Sequence, residues 1–237
     1  MLDFGYYNMD CMEGMKEFPD KYFDLAIVDP PYGHGWGNGG GAKGWATKYH
    51  QSEEQKEKYF KRFAGGTWFE KYKKRAISWD IAPDEKYFEE LFRVSKNQII
   101  WGGNYFSLPP TRCFLVWRKK QIADEFTMAM AEYAWTSFDA NAKVFEKTSV
   151  DRNRFHPTQK PVELYEWILG KYAHEGDKIL DTHVGSASSL VACENMGFKY
   201  VGFEIDSEYY KKGLGRIEAA KSQLSLWRDM DEAQTEL

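Results

Sequence analysis

The chain has 237 residues, 43% of them hydrophobic, which suits one large α/β domain with a buried core, or one domain carrying an insertion. A net charge of −4 excludes a uniformly basic nucleic-acid binder, and no apolar run reaches the ~18 residues that a membrane-crossing helix needs. The three cysteines (Cys11, Cys113 and Cys193) lack Cys-x-x-Cys spacing, so no zinc or other metal site is expected. The first residues, Met1 to Tyr7, lack the basic and apolar regions of a signal peptide, and the expected location is the cytoplasm, with reduced thiols.

In chain order, Tyr6 to Asn8 reads as a short strand with Asp10 just beyond its carboxyl end, and Met12 to Phe18 as a helix closed by Pro19-Asp20. Asp24 to Val28 is a mostly apolar, β-branched run that reads as a buried strand. It ends in Asp29-Pro30-Pro31-Tyr32, where two prolines forbid both helix and ladder continuation. That turn holds an acidic acceptor beside an aromatic face, a pairing suited to binding a nucleobase by hydrogen bond and stacking. Seven glycines follow between Gly33 and Gly44, without the spacing of a phosphate-binding fingerprint, and read as a mobile loop. Ser52 to Phe63 reads as a basic helix and Trp68 to Arg75 as a basic, aromatic segment.

Between Lys43 and Arg75 ten Lys/Arg face four Glu, leaving +6 there and −10 elsewhere. A local basic patch on an acidic body is the footprint of a polyanion-binding face, and a solvated helix of mixed charge gives the same count. Further on, Pro83 to Val94 is an amphipathic helix, Gln98 to Trp101 and Cys113 to Trp117 are strands, and Phe126 to Trp135 is a third strand with an ambiguous start. Phe138 to Phe155 reads as irregular and carries Lys143, Lys147, Arg152 and Arg154, a second contact region. The last third alternates helix (Pro161–Tyr172), strand (Lys178–Asp181), helix (Ala187–Met196), strand (Tyr200–Glu204) and helix (from Ser207), which implies β-α-β units in a doubly wound sheet.

In such sheets ligands bind beyond the carboxyl ends of the strands. Asp181-Thr182-His183-Val184-Gly185-Ser186-Ala187-Ser188 is a small-residue turn between strand and helix, open to close backbone approach and offering N–H groups. Glu204 ends the next strand about 20 residues later, where an acid can accept from both hydroxyls of a ribose. Together they indicate an adenosine-containing cofactor; an ordinary capped turn is the alternative.

Asp29-Pro30-Pro31-Tyr32, His156-Pro157-Thr158-Gln159-Lys160-Pro161 and Ile179 to Ser186, in that order, resemble the β class of DNA amino-methyltransferases. The likeness spans roughly residues 5 to 35 and 98 to 220. It implies a Rossmann-like α/β fold, a mostly parallel seven-stranded sheet with an antiparallel hairpin strand in circularly rearranged motif order. It also implies transfer of a methyl group from S-adenosylmethionine to an amino group in double-stranded DNA, adenine N6 or cytosine N4. The Asp that opens Asp-Pro-Pro-Tyr resembles the adenine enzymes, and Ser is commoner in the cytosine ones. The rivals are cytosine N4 as target, an RNA substrate, or a silent module that binds DNA and cofactor without turnover.

By the same resemblance, Asp29 and the Pro30 carbonyl accept from the target amino group, Pro31 completes the turn, and Tyr32 stacks on the flipped base. Asp10 meets the cofactor's adenine and Glu204 its ribose. Asp181, His183, Gly185, Ser186 and Ser188 line its sugar and methionine side, and His156, Thr158 and Lys160 open the helix that covers the methionine, with Lys160 suited to its carboxylate. Two positions depart from the family, which usually has Phe at 183 and Gly at 187. The domain reading is one catalytic domain over 1–237, with a DNA-contacting insertion at about 36–80 (Lys43, Lys48, Lys71, Lys73, Lys74, Arg75) and a short recognition segment at about 138–155 (Arg152, Arg154). So little recognition sequence leaves specificity to that insertion or to a second subunit, a homodimer.

Overall fold

The computed structural model describes residues 1–33, 81–122 and 129–235, the side chains of 227–235 excepted. The glycine loop beyond Gly33, the helix expected over Ser52–Phe63 and the basic segment Trp68–Arg75 lie outside the described residues, as does the 36–80 insertion. In chain order the elements are β1 (Gly5–Tyr7), α1 (Cys11–Lys16), β2 (Phe23–Val28), α2 (Glu85–Val94), β3 (Ser95–Trp101), a 3-10 turn (Gly103–Tyr105), β4 (Phe114–Arg118), β5 (Ala131–Thr136) and β6 (Lys143–Glu146). Then come α3 (Val162–Tyr172), β7 (Lys178–Asp181), α4 (Ser188–Met196), β8 (Lys199–Phe203) and α5 (Ser207–Thr235). Two units arise by contact: Met1–Pro30 with Glu85–Leu237, which holds the sheet, and Pro31–Asp84, of which only 31–33 and 81–84 are described.

The sheet order is β1-β8-β7-β2-β3-β5-β4-β6. β1, β8, β7, β2 and β3 run parallel, β5 is antiparallel to both β3 and β4, and β6 runs parallel to β4. Among the described strands only β5 is reversed against both its neighbours. A strand covered on both faces needs no polar side, and Leu25-Ala26-Ile27-Val28 of β2 is buried throughout. Alternation sends Leu25 and Ile27, with Ile99 and Trp101 of β3, into one core with Leu164 and Ile168 of α3, Leu190 of α4 and Ile217 of α5. Ala26, Val28 and Ile100 point the other way, into a core with Met15 of α1 and with Tyr87 and Leu91 of α2. The sheet is therefore doubly wound, and its fold is the α/β arrangement expected.

Among the described residues the strand number is eight rather than seven. The added strand, β6, lies inside the 138–155 segment expected to be irregular. It is a four-residue edge strand that leaves Val144 59% exposed and gains apolar contact mainly through Phe145 against Trp167, ring centres 5.4 Å apart. So short an alternation, with Lys and Glu at its ends, carries too little hydrophobic signal to stand out in sequence. The strand expected over Phe126–Trp135 begins at Ala131, and residues 123–128 lie outside the described set.

Candidate active site

The parallel strands all end on one edge of the sheet, and sheet order decides which side chains meet there. From β1 to β3 those ends carry Asp10, Glu204, Asp181, Asp29 and Trp101. Because β5 is reversed, its beginning arrives at the same edge, bringing Glu132 in register with Trp117 near the end of β4.

On the β1-β8-β7 side, Asp10 is exposed and caps α1, accepting from the Met12 N–H at 2.7 Å. Glu204 is buried and accepts from the Gly185 and Asp206 N–H groups, each at 2.8 Å. Burial and the neighbouring Asp206 raise its carboxyl pKa even against those bonds. Asp181 is 3% exposed, accepting from the Ser189 hydroxyl and from the His183 N–H at 3.0 Å. Burial, with Asp29 and Glu204 adding to it, pushes its carboxyl up to about 7 despite those donors.

The turn between Asp181 and α4 is fitted to its surroundings at two backbone positions. Gly185 has φ +56°, and a Cβ there would lie 3.1 Å from the His156 ring. Ala187, at the start of α4, also has a left-handed φ, +61°, with its methyl fully buried. An alanine in that conformation costs roughly 1–2 kcal/mol relative to glycine. Ser186 and Ser188 are buried, their hydroxyls 3.0 Å apart. His156 is buried edge-on to Tyr209, ring centres 4.4 Å apart, with its Nδ1 3.2 Å from the Thr158 hydroxyl. Burial, reinforced by Lys160, drops its pKa to about 3.

On the β2-β3 side, Pro30 is buried at the end of the first unit, and Pro31 and Tyr32 open the second. Asp29 pairs through Oδ2 with the Lys160 ammonium. Lys160 is 3% exposed and also reaches Glu132 at 3.2 Å, with its nitrogen 5.2 Å from the centre of the Trp101 ring. Burial alone would lower the Lys160 pKa, but Asp29 and Glu132 outweigh it and hold it above the usual lysine range. The expected DNA contacts divide differently. Arg152 is exposed, whereas Arg154 is half-buried and donates to the Ser149 and Gln159 carbonyls at 3.0 and 2.8 Å, bracing its own loop. Lys43, Lys48, Lys71, Lys73, Lys74 and Arg75 lie outside the described residues.

A family model described as DNA methylase, of the N6/N4 type, matches residues 42–214. The chain belongs to the N6/N4 DNA methylase family. "Putative methylase YubD" of Escherichia coli (strain K12) is 24% identical over 219 residues, 90% of this chain and 89% of that protein. Type II methyltransferase M2.DpnII of Streptococcus pneumoniae is 42% identical over a shorter stretch of 64 residues, 27% of this chain and 24% of that protein. Among solved structures, PvuII DNA methyltransferase (cytosine-N4-specific) superposes with a TM-score of 0.58 at 13% identity, covering 91% of this chain and 86% of that one. That likeness is one of fold.

This methylase accommodates both departures from family habit within the turn. His183 lies edge-on to Tyr87, ring centres 5.3 Å apart, with its Nδ1 2.9 Å from the Thr182 hydroxyl. Burial lowers its pKa to about 4, so it stands in for Phe as an uncharged ring. Several site residues escaped the sequence. Glu132 lies on β5, whose direction no periodicity reveals, and its second partner, Lys119 just past β4, is 2.6 Å away. Arg216 of α5 donates to the Ser186 carbonyl at 2.6 Å and the Ser188 hydroxyl at 3.1 Å, clamping the Asp181–Ser188 turn. Its one signal is position, since it precedes the buried Ile217 on the helix that buries Tyr209 and Gly213. Tyr87, with its hydroxyl 2.6 Å from Thr182, was legible only as a core residue.

Proposed function

We propose that this methylase is site-specific for adenine in duplex DNA, transferring a methyl group from S-adenosylmethionine to N6 by direct in-line attack on a base flipped out of the helix. One observation carries the reading: the Asp29-Pro30 turn and the Asp181–Ser188 turn sit side by side at one sheet edge, because β2 and β7 are neighbours. A methyl acceptor and a methyl donor bound there are adjacent without any movement of the sheet.

The residues present fit the donor. S-adenosylmethionine supplies an electrophilic methyl on a sulfonium, and it is cationic overall. Asp181 is a buried carboxylate whose neighbours among the described residues are hydroxyl, N–H and further carboxylates, a donor set that a cation completes. Glu204 and Asp10 suit the ribose and adenine, while Gly185, Ser186 and Ser188, with His156, Thr158 and His183 around them, shape the methionine side.

Asp29 and the Pro30 carbonyl then accept from the two amino hydrogens of the target. Conjugation into the ring makes that nitrogen a weak nucleophile, and two acceptors favour the pyramidal form whose lone pair can attack. Acceptors that bind more strongly as positive charge develops lower the barrier. Pro30 and Pro31 stiffen the turn, and Tyr32 supplies a stacking face for the extruded base. Aspartate as the first residue of the turn supports adenine, and DNA adenine methyltransferase YhdJ of Escherichia coli (strain K12) is 39% identical over 71 residues, 30% of this chain and 24% of that protein.

Incubation with duplex DNA and labelled S-adenosylmethionine, followed by digestion to nucleosides, tests this. Label on N6-methyl-2′-deoxyadenosine is the expected product. Label on N4-methylcytosine overturns the adenine assignment, and no label overturns the enzyme.

The 36–80 insertion, the remainder of a single catalytic domain, is assigned to the DNA backbone through Lys43, Lys48, Lys71, Lys73, Lys74 and Arg75, and Arg152 to the recognition segment. Neutralising Lys71, Lys73, Lys74 and Arg75 together is expected to weaken DNA binding and flatten the slope of log K against log[salt], by roughly 0.9 for each phosphate that is no longer neutralised. An unchanged slope removes the patch from the interface.

A further inference from the structure

Four charges of alternating sign cross the catalytic edge of the sheet. Lys119, just past β4, pairs with Glu132 of β5 at 2.6 Å. Glu132 pairs with Lys160 at 3.2 Å, and Lys160 pairs with Asp29 at the end of β2. Each ammonium also lies over an indole, Lys119 5.2 Å from the ring centre of Trp117 and Lys160 5.2 Å from that of Trp101. A lysine side chain normally keeps several rotamers. Here both carboxylates and the Trp101 face hold Lys160 from three sides, and its amino group is buried.

We propose that Lys160 and Glu132 are positioning residues for methyl transfer: Glu132 aims the Lys160 ammonium, which fixes Oδ2 and hence the plane of the Asp29 carboxylate toward the target amino group. The inference rests on the assignment of Asp29 as an acceptor for that group. It also moves Lys160 from the cofactor's carboxylate, where sequence resemblance put it, to the opposite half of the site.

Three features separate this from ion pairing for stability alone. Buried ion pairs add little net stability, because desolvation offsets their attraction. The row ends at the residue that needs a fixed orientation, and orientation errors of an ångström cost catalysis far more than they cost folding. Finally, Lys160 compensates a crowded set of groups. Around Asp29 stand Glu132 of β5, Asp181 of β7, Tyr87 of α2 and Tyr165 of α3, and Lys160 brings a positive charge into direct contact with two of these carboxylates, Asp29 and Glu132. Burial would raise the Glu132 carboxyl, yet Lys160 and Lys119 outweigh it and hold Glu132 below the usual range, so Glu132 stays ionised between its two lysines.

The test uses the full chain, duplex DNA and saturating labelled S-adenosylmethionine, read as single-turnover rate, with cofactor Kd and melting temperature measured alongside. Glu132→Gln, nearly the same shape, is expected to slow transfer by about ten-fold or more with cofactor Kd within about two-fold, and Glu132→Asp to recover part of the rate. Lys160→Met, which removes the ammonium that holds Oδ2, is expected to slow transfer by about ten-fold or more with cofactor Kd within about two-fold, and Lys160→Arg, which keeps the charge, to recover part of the rate. Wild-type rates in Glu132→Gln overturn the proposal. So does a Lys160→Met variant with wild-type transfer at saturating cofactor and a weakened cofactor Kd, which would return Lys160 to the cofactor. An Asp29→Asn variant run in parallel separates the two failures: if it is fully active, the acceptor assignment itself falls; if it is slow while Glu132→Gln is not, only the positioning role falls.

Discussion

Asp29→Asn is expected to lower the methyl-transfer rate by about 10²-fold or more, the usual cost of one electrostatic partner to the transition state, while leaving cofactor Kd within about two-fold. The asparagine fills the same space and can still accept from Lys160, so the β2 end keeps its shape. What it lacks is the full negative charge that strengthens its bond as the amino nitrogen becomes cationic. Hydrogen bonds to charged groups contribute roughly 1.5–3 kcal/mol, and the part that grows in the transition state appears as rate. Single-turnover transfer to duplex DNA measures it, with melting temperature as the control for fold. A rate within about ten-fold of wild type would leave Asp29 without a catalytic role, and a weaker hold on the cofactor would move it to the other half of the site.

Cofactor affinity is expected to fall about ten-fold per pH unit below 7 and to level off above it. The cause is Asp181, whose carboxyl is pushed up to about 7 by burial, with Asp29 and Glu204 adding. A cationic cofactor binds the ionised form, so below that value binding must first expel a proton. The same shift fixes the sign of the free protein's stability. Between the ordinary carboxylate range and 7 the folded chain keeps a proton that the unfolded chain releases. Stability therefore falls as pH rises through that window, by at most about 4 kcal/mol, and is flat above 7. Calorimetric Kd and melting temperature, each against pH, test both halves. Asp181→Asn should flatten both curves, and an unchanged dependence in that variant would assign the titration elsewhere.

Much of this site was readable from the chain because the rule linking ligands to strand ends needs only strand identity. β2 and β8 are nearly unbroken apolar runs, so Asp29 and Glu204 could be placed from sequence alone. Asp181 followed from the small-residue turn after β7. What escaped depended on direction or on distance. Glu132 reaches the edge only because β5 is reversed, and an alternating strand reads the same in both directions. Lys160 and Asp29 are 131 residues apart, so charge alone offered Lys160 a choice of anions, and resemblance pointed to the cofactor. Arg216 lies on no motif, and only the packing of α5 brings it to the Ser186 carbonyl. β6 was lost for the opposite reason: an edge strand of four residues buries too little to imprint a pattern.

The two imidazoles at the site bear on how this methylase's behaviour in buffer is read. His156 and His183 are both held uncharged, at about 3 and about 4, by burial. A half-titration near neutrality is customarily credited to histidine. Here neither ring exchanges its proton in that range, so reagents and buffers chosen to diagnose imidazole would point to the wrong group. Among the described site residues, the group whose ionisation falls near neutral pH is the Asp181 carboxyl, a carboxylic acid.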